Sequence, residues 1–369
     1  MGLNPSALPK FPWDSLTPVI ERARAHPDGA IMLSVGTPVD STPEIIRQAL
    51  ADAADAPGYP TTQGTRELRQ AAVDWFARCR AVPGMTTEAV IPTVGSKEMV
   101  ALLPSLLGLG PEDVVVLPEV AYPTYDVGAR LVGARRLATD DVASWRGDSS
   151  VALVWVNSPS NPTGAVASVE DLREIVTAAR DIGAAVVADE CYAELPWTVD
   201  EAPSILDPRV CGGDHSGLLV LYSLSKRSNL AGYRAGLLAG DDALVARILE
   251  VRKHAGLIVP GPVQAAMEAA LGDDDHVAVQ RRRYQARRTS LKAALEHAGL
   301  AIEHSAAGLY LWATRGEDCW ETVNWLAERG IVAAPGAFYG EAGTRHVRIG
   351  LTASDAHIAE AVRRLTEND

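Results

Sequence analysis

Apolar residues follow two rhythms along this chain. Short unbroken runs recur through its middle: Ala89 to Val94, Val114 to Leu117, Val151 to Val156, Ala184 to Ala188, Gly217 to Leu221 and Ala235 to Ala239. Runs without polar alternation suit strands covered on both faces. Arg135 to Ala138 adds a further strand. Between the runs the period lengthens to that of a helix. Over Thr65 to Arg80, the residues Leu68, Ala71, Ala72, Trp75, Phe76 and Cys79 share one face, which predicts a core-facing helix. Gly95-Ser96-Lys97 opens another helix, to about Leu107, and Pro123 to Leu131 a third. Ser168-x-x-Asp171 has capping-box spacing, and Leu172, Ile175, Val176 and Ala179 form the inner face of the helix it starts. Strand and helix alternating in this way predict an α/β fold with a mostly parallel sheet covered by helices on both faces.

The flanks read differently. Met1 to Asp14, with Pro5, Pro9 and Pro12, is expected to be extended, and Ser15 to His26 a short helix. Ile31 to Val35 is strand-like and ends in the turn Gly36-Thr37-Pro38. Thr42 is expected to cap a helix with Pro43 at its first position, and Pro57 to Gly64 is a loop carrying Tyr59. From Asp241 onward helices dominate: Asp241 to His254, Pro262 to Leu271, and a long charged one from about Asp274 to His297. Short strands follow at Gly308 to Ala313, Ile331 to Ala334 and His346 to Leu351. A last helix has Ile358, Ala361, Val362 and Leu365 on one face. This part reads as a small α+β unit.

Charge narrows the function. The chain has 369 residues, 34 basic and 47 acidic, for a net charge of −13. That balance opposes nucleic acid or an anionic membrane as the main partner. The run Arg281-Arg282-Arg283 reads as a solvated helix face. No apolar run is long enough to span a bilayer, and the opening lacks the pattern of a secretory signal. Cys79, Cys191, Cys211 and Cys319 are far apart and form no Cys-x-x-Cys pair, so neither a metal site nor disulfides are expected, and a cytoplasmic location is.

The chemistry concentrates in Leu221 to Gly236, a strand end followed by Ser223-Leu224-Ser225-Lys226, a small-residue loop and Arg234. Strand ends are where open α/β sheets hold their ligands. An amine kept partly out of water is a nucleophile, and serines with an arginine hold phosphate. The tetrapeptide by itself equally suits a solvated lysine after a strand. Amine and phosphate clamp together point to a phosphorylated aldehyde cofactor, pyridoxal phosphate. Asp189 follows an apolar strand, where a carboxylate needs a partner such as a protonated pyridine nitrogen. Tyr192 and Asn161 could reach the cofactor's ring oxygen, and Tyr122 could stack on its ring. Gly95-Ser96-Lys97 offers backbone N–H groups at a helix start. Arg348, in Val347-Arg348-Ile349, wants a carboxylate.

Taken in order, Tyr59 with Gly64, Gly95-Ser96-Lys97, Tyr122, Asn161-Pro162-Thr163-Gly164, Asp189-x-x-Tyr192, Ser223-x-Ser225-Lys226, Arg234 and Arg348 resemble the class I/II aminotransferases of the aspartate-aminotransferase fold over most of the chain. The resemblance implies that Lys226 binds pyridoxal phosphate covalently and moves the proton between the substrate Cα and the cofactor C4′. It implies that Asp189 pairs with the pyridine nitrogen, that Tyr192 and Asn161 bond the ring oxygen, and that Tyr122 stacks on the ring. Ser96, Lys97, Ser223, Ser225 and Arg234 would surround the phosphate. Tyr59 would reach the phosphate of a partner subunit, which makes the active unit a homodimer. Arg348 would bind the substrate α-carboxylate, helped by the backbone at Gly36. Lys97 departs from the small or hydroxyl residue common there, and either lies beside the phosphate or points outward. The implied architecture is a large cofactor domain, 34–280, and a small domain from both chain ends, 1–33 and 281–369.

The implied reaction is amino transfer between amino and 2-oxo acids. Ser223 to Arg234, Pro335-Gly336-Ala337-Phe338-Tyr339-Gly340, Val347 to Thr352 and Leu8-Pro9-Lys10-Phe11-Pro12-Trp13 are similar to segments of the succinyldiaminopimelate aminotransferases of lysine biosynthesis. That likeness implies N-succinyl-LL-diaminopimelate as substrate and glutamate/2-oxoglutarate as the donor pair. An aspartate- or alanine-type aminotransferase and a carbon–sulfur lyase on the same scaffold remain alternatives. A cofactor-holding regulator is a third, which the acidic charge opposes.

Overall fold

The structure, a computed structural model, describes residues 8–367. Met1 to Ala7, the first half of the expected proline-rich opening, lie outside the described residues. A 3-10 turn (Pro12–Leu16) leads into α1 (Thr17–Arg24), β1 (Ile31–Met32), α2 (Glu44–Asp52) and α3 (Arg66–Cys79). The alternating region holds β2 (Val90–Val94), α4 (Gly95–Leu106), β3 (Val114–Leu117), α5 (Thr124–Val132), β4 (Arg135–Ala138), β5 (Val151–Asn157), α6 (Val169–Ile182), β6 (Ala185–Asp189), α7 (Pro208–Cys211), β7 (Leu218–Ser223), α8 (Leu224–Arg227) and β8 (Ala235–Gly240). Then come α9 (Asp242–Ala255), α10 (Gly261–Gly272), α11 (Asp275–His297), β9 (Ala301–Glu303), β10 (Tyr310–Thr314), α12 (Cys319–Glu328), β11 (Ile331–Val332), β12 (Ala334–Pro335), β13 (Val347–Gly350) and α13 (Asp355–Thr366).

The apolar runs become a seven-stranded sheet of order β2-β8-β7-β6-β5-β3-β4. Only β8 runs antiparallel to its neighbours; the other pairings are parallel. Both faces are covered, which is why β3, β6, β7 and β8 needed no polar side. Leu68, Ala72, Trp75 and Phe76 of α3 pack with Leu172, Val176 and Ala179 of α6 on one face. Met99, Val100 and Leu103 of α4, Tyr125 of α5 and Ile248 of α9 pack on the other. Thr65 caps α3, accepting from Leu68 N–H at 3.1 Å, and Ser168 with Asp171 closes the expected capping box on α6.

A second core gathers residues from both chain ends, among them Leu16, Val19, Tyr284, Leu311, Leu326, Ile349 and Ile358. Its antiparallel sheet has the order β12-β13-β10-β9, with β1 pairing β11 beside it. On α11, Arg281 and Arg282 are exposed, and Arg283 reaches Gln280. Among the described residues no helix is long and apolar enough to cross a membrane.

Four local expectations change. Thr42 does not cap α2: Pro43 is the boundary residue, and no side chain caps it. The Thr42 hydroxyl donates instead to the Asn229 carbonyl at 3.1 Å, tying this loop to the turn after Lys226. The strand expected over Ile31 to Val35 keeps only Ile31 and Met32, because Leu33 divides its bonds between two strands. Its N–H donates to Val332 and its carbonyl accepts from Gly350. Ile331 to Ala334 splits for the same reason, into strands of two different sheets. Ala301–Glu303 was not expected; it is an edge strand with two exposed residues and no apolar run.

One buried ion pair positions the chain beyond β6. The Arg80 guanidinium meets the Glu190 carboxylate at 2.7 Å, with side-chain exposures of 5% and 1%. Glu190 also accepts from the Ser204 hydroxyl and the Ile205 N–H, both at 2.9 Å. Removing one partner of such a pair strands the other charge out of water. Glu190→Ala should lower unfolding free energy by about 3–5 kcal/mol, read from urea denaturation midpoints at constant slope.

Candidate active site

The sheet register brings several strand ends to one place. Asn157 lies opposite Asp189, and Asp189 opposite Leu221, so β5, β6 and β7 end side by side. Ser223, the last residue of β7, faces Gly236 near the start of β8, and Gly236 also faces Thr93 near the end of β2. Asn161, Tyr192, Lys226, Arg234 and Gly95 leave these ends within a few residues.

Lys226 is half-buried on α8, a single helical turn. Ser223 caps this turn, its hydroxyl accepting from Ser225 N–H at 3.2 Å. Next in the chain, Arg227 is buried against Glu194 at 3.1 Å, with its guanidinium 5.7 Å from the Trp75 ring. That anchor leaves Lys226 pointing the other way, where its Nζ donates to the Gly36 carbonyl at 2.5 Å.

An anion cradle forms beside it. Gly95 N–H donates to the Arg234 carbonyl at 2.7 Å. Gly95 has a φ of +69°, and a Cβ there would overlap the Arg234 guanidinium, so only glycine brings the two segments this close. Ser96 follows in the first turn of α4, where N–H groups lack intrahelical partners. Arg234 is exposed, its Nη1 donating to Ala231 at 2.9 Å. Lys97 is exposed and its ammonium lies 5.5 Å from the Phe11 ring centre, so the structure turns it outward to the N-terminal segment. Tyr59 is not gathered into the cluster: it is 100% exposed on the loop before α3.

Asp189 lies at the bottom, buried. Its carboxylate accepts from the Tyr125 hydroxyl at 2.9 Å and from Cys191 N–H at 3.2 Å. Burial pushes its carboxyl above the usual aspartate range, and those hydrogen bonds together with the Lys226 charge offset this only in part. Tyr125 in turn stacks on Trp155 at 4.7 Å. Tyr122 meets Tyr125 edge-on at 5.8 Å. Asn157 holds the turn above, donating to the Asp189 carbonyl at 2.9 Å and accepting from Asn161 N–H at 2.7 Å.

The opposite wall comes from the small sheet. Arg348 on β13 is 3% exposed. It donates to the Asn161 side-chain oxygen at 2.8 Å and the Ser34 carbonyl at 2.6 Å, and its Nε has no partner. Its guanidinium lies 4.0 Å from the Tyr310 ring and 5.0 Å from that of Tyr339. Gly36 passes so close that a Cβ would overlap the Tyr310 hydroxyl. That hydroxyl is 3.3 Å from the hydroxyl of Tyr192. Burial and the neighbouring Tyr310 push the Tyr192 phenol well up. Burial works the same way on Tyr310, but Arg348 and Lys226 outweigh it and bring that phenol down.

Tyr125, Ser34 and Tyr310 were not foreseen. Tyr125 lies three residues after Tyr122 in the sequence, but nothing marks it there as the one reaching Asp189. Tyr310 sits in an apolar strand where aromatic residues are ordinary core. Among the described residues no group of three or more His, Cys, Asp or Glu could hold a metal ion.

The residues present fit a phosphorylated pyridine aldehyde. They offer an amine at Lys226, an anion cradle at Gly95 and Arg234, and, among the described residues, a buried carboxylate with no cation bonded to it and a buried guanidinium with no carboxylate partner. The profile of the family described as aminotransferase class I and II matches residues 28–365. The chain is 58% identical over 360 residues to the 4-dedimethylamino-4-oxo-anhydrotetracycline transaminase OxyQ of Streptomyces rimosus, covering 97% of this chain and 99% of that one. It is 56% identical over 361 residues to a probable aminotransferase of Mycobacterium tuberculosis, covering 98% and 86%. Among solved structures, a probable N-succinyldiaminopimelate aminotransferase from Thermus thermophilus superposes with a TM-score of 0.85 at 30% identity, over 96% of this chain and 99% of that one.

A raised carboxyl destabilises the folded chain wherever it is ionised: the cost is absent below the ordinary aspartate range and complete above the raised folded value. Cofactor-free Asp189→Asn should therefore be more stable than the cofactor-free parent near neutral pH. The gap should close as pH falls through the aspartate range, as thermal melts across pH would read. The same variant should hold the cofactor less tightly.

Proposed function

The chain belongs to the class I and II aminotransferases, which depend on pyridoxal phosphate and act on amino and 2-oxo acids, and from that premise we propose that it is an N-succinyl-LL-diaminopimelate:2-oxoglutarate aminotransferase. The observation that carries the assignment of roles is Arg348, a buried cation with no carboxylate partner among the described residues, on the wall across from Lys226 and Asp189. The bound cofactor supplies the electron sink for breaking the substrate Cα–H bond. Lys226 takes that proton from Cα and returns it at C4′. Asp189 gains the cation its buried carboxylate lacks and keeps the ring nitrogen protonated. Tyr192 and Asn161 donate to the ring oxygen, and Tyr122 covers the ring. Arg348 forks the α-carboxylate bidentately, with the Gly36 backbone beside it. Ser96, Ser223, Ser225 and Arg234 take the phosphate, whereas the outward turn of Lys97 favours a role away from it.

Full exposure of Tyr59 suits a residue completing the site of a partner subunit, so the active unit in this reading is a homodimer in the cytoplasm. The large part is 34–280, and the small part is 1–33 with 281–369.

The long substrate is supported by a cavity of about 720 Å³ that opens beside Tyr122, between Pro9 to Pro12 and Phe338 to Glu341. Lys10 lines it and can meet a distal carboxylate, whereas Arg136 is paired with Asp126, and Glu119 and Glu341 line the same cavity. The Thermus thermophilus likeness points to the same substrate. A second reading, amination of a ring ketone on a polycyclic acceptor, is favoured by the 58% identity to the Streptomyces rimosus transaminase. Arg348 does not separate the two, because an amino-acid donor needs the fork in either.

A panel of acceptors and donors separates them. For N-succinyl-LL-diaminopimelate, kcat/KM should exceed that for aspartate or alanine by at least about tenfold, since remote contacts act on the reacting centre. Equal or better rates with aspartate, alanine or aromatic amino acids would overturn the substrate, and preference for a polycyclic ketone would establish the second reading. Arg348→Lys, which keeps charge but loses the fork, should raise KM about 10- to 100-fold for amino and oxo acids alike, with the bound-cofactor spectrum unchanged.

A further inference from the structure

Those roles leave the buried Tyr310 hydroxyl of the site unused. Tyr310 opens β10 and is 4% exposed. The Arg348 guanidinium covers its ring, the Tyr192 ring meets it edge-on at 5.7 Å, and Gly36 closes over its oxygen. Phenylalanine would make the same ring contacts without bringing a polar atom out of water. A buried hydroxyl costs stability unless it is hydrogen-bonded, and the side-chain partner it finds is Tyr192, at 3.3 Å.

The two hydroxyls share one hydrogen bond, so only one donates in it. If Tyr192 spends its proton on the cofactor's ring oxygen, the donor between the two tyrosines must be Tyr310. We propose that Tyr310 is a positioning residue of the transamination site, whose hydroxyl donates to the Tyr192 oxygen and so strengthens the hydrogen bond that Tyr192 gives to the ring oxygen of bound pyridoxal phosphate. The link rests on the ring-oxygen role of Tyr192 proposed above.

The surroundings favour this direction. Arg348 from β13, which keeps its charge when the cofactor is bound, loosens the Tyr310 proton, whereas burial holds that of Tyr192. The more acidic phenol of a pair is the better donor. Cys191 faces Tyr310 with the opposite, weaker influence. Asp189 is taken by Tyr125 and Cys191, and Tyr122 and Tyr339 carry neutral phenols that burial holds protonated.

Hydrogen bonds in a chain polarise one another. With the cofactor bound through Lys226, the chain from Tyr310 through Tyr192 would stabilise an anionic ring oxygen and so lower the pH at which the bound-cofactor absorbance titrates. The test is a pH titration of the bound-cofactor absorbance in the holoenzyme, for the parent, Tyr310→Phe, Tyr192→Phe and the double variant. Tyr310→Phe should raise the midpoint by about half a pH unit. Tyr192→Phe should raise it further, and adding Tyr310→Phe to Tyr192→Phe should change nothing more. A midpoint that Tyr310→Phe leaves in place or lowers, while Tyr192→Phe raises it, overturns the link alone. So does a Tyr310→Phe shift that persists without the Tyr192 hydroxyl. A Tyr192→Phe midpoint equal to the parent's overturns the ring-oxygen role and the link together.

Discussion

Six arginines are buried among the described residues, and five of them meet a carboxylate. Arg80 has Glu190, Arg227 has Glu194, Arg252 has Glu98, Arg287 has Asp40 and Arg364 has Glu360. Arg348 has an amide oxygen, a carbonyl and two tyrosine rings. Across the cleft Asp189 presents the opposite case, a buried carboxylate held by a phenol and an N–H but by no cation. Leaving a charge in low dielectric without its counter-charge costs several kcal/mol. The chain bears that cost twice, on facing walls, and each deficit is the shape of a ligand group: a cation for Asp189, a carboxylate for Arg348.

The scaffold makes those deficits rigid. Asp189 is the last residue of a central strand, fixed in register between β5 and β7, and the residue after it is clamped by Arg80. Lys226 rides on a turn whose neighbour Arg227 is sunk between Glu194 and Trp75. Arg348 is held by a sheet built from the other end of the chain, yet its hydrogen bond goes to Asn161, on the loop after β5. The Arg348 guanidinium is thus set by contacts to both packing bodies. In the Arg287–Asp40 pair and the Gln280–Asn229 contact, α11 makes the same connection below it.

The parts legible in the sequence were those where one constraint acts alone. A doubly covered strand must be an apolar run, so β3, β5, β6, β7 and β8 stood out, and a lysine between serines at a strand end marked the amine. Legibility failed where a residue serves two elements. Thr42 reads as a helix cap until its hydroxyl is taken by Asn229. Leu33 reads as strand until its two backbone bonds go to different partners. Tyr125 and Tyr310 were hidden for a related reason: each looks like core, and each is core, but its hydroxyl is spent on a functional neighbour. Position in an apolar pattern reports the ring and is silent about the oxygen at its edge.

Amino transfer has two half-reactions in one cleft, and this constrains where selectivity can lie. In the proposed reading the donor and the product both carry an α-carboxylate and an α-nitrogen, so Arg348, Gly36 and Lys226 would treat them alike. Interactions shared by all substrates lower KM for each without ranking them. Ranking must come from contacts made by one substrate and not the other. In that reading the cavity beside Tyr122, walled by Phe338 and Tyr339, is the part of the site that a short donor leaves empty and a long acceptor fills. Tyr339 stands on both sides of this division. Its ring lies 5.0 Å from the Arg348 guanidinium and the residue also lines the cavity, so a substrate filling the cavity and a carboxylate at Arg348 would touch the same side chain.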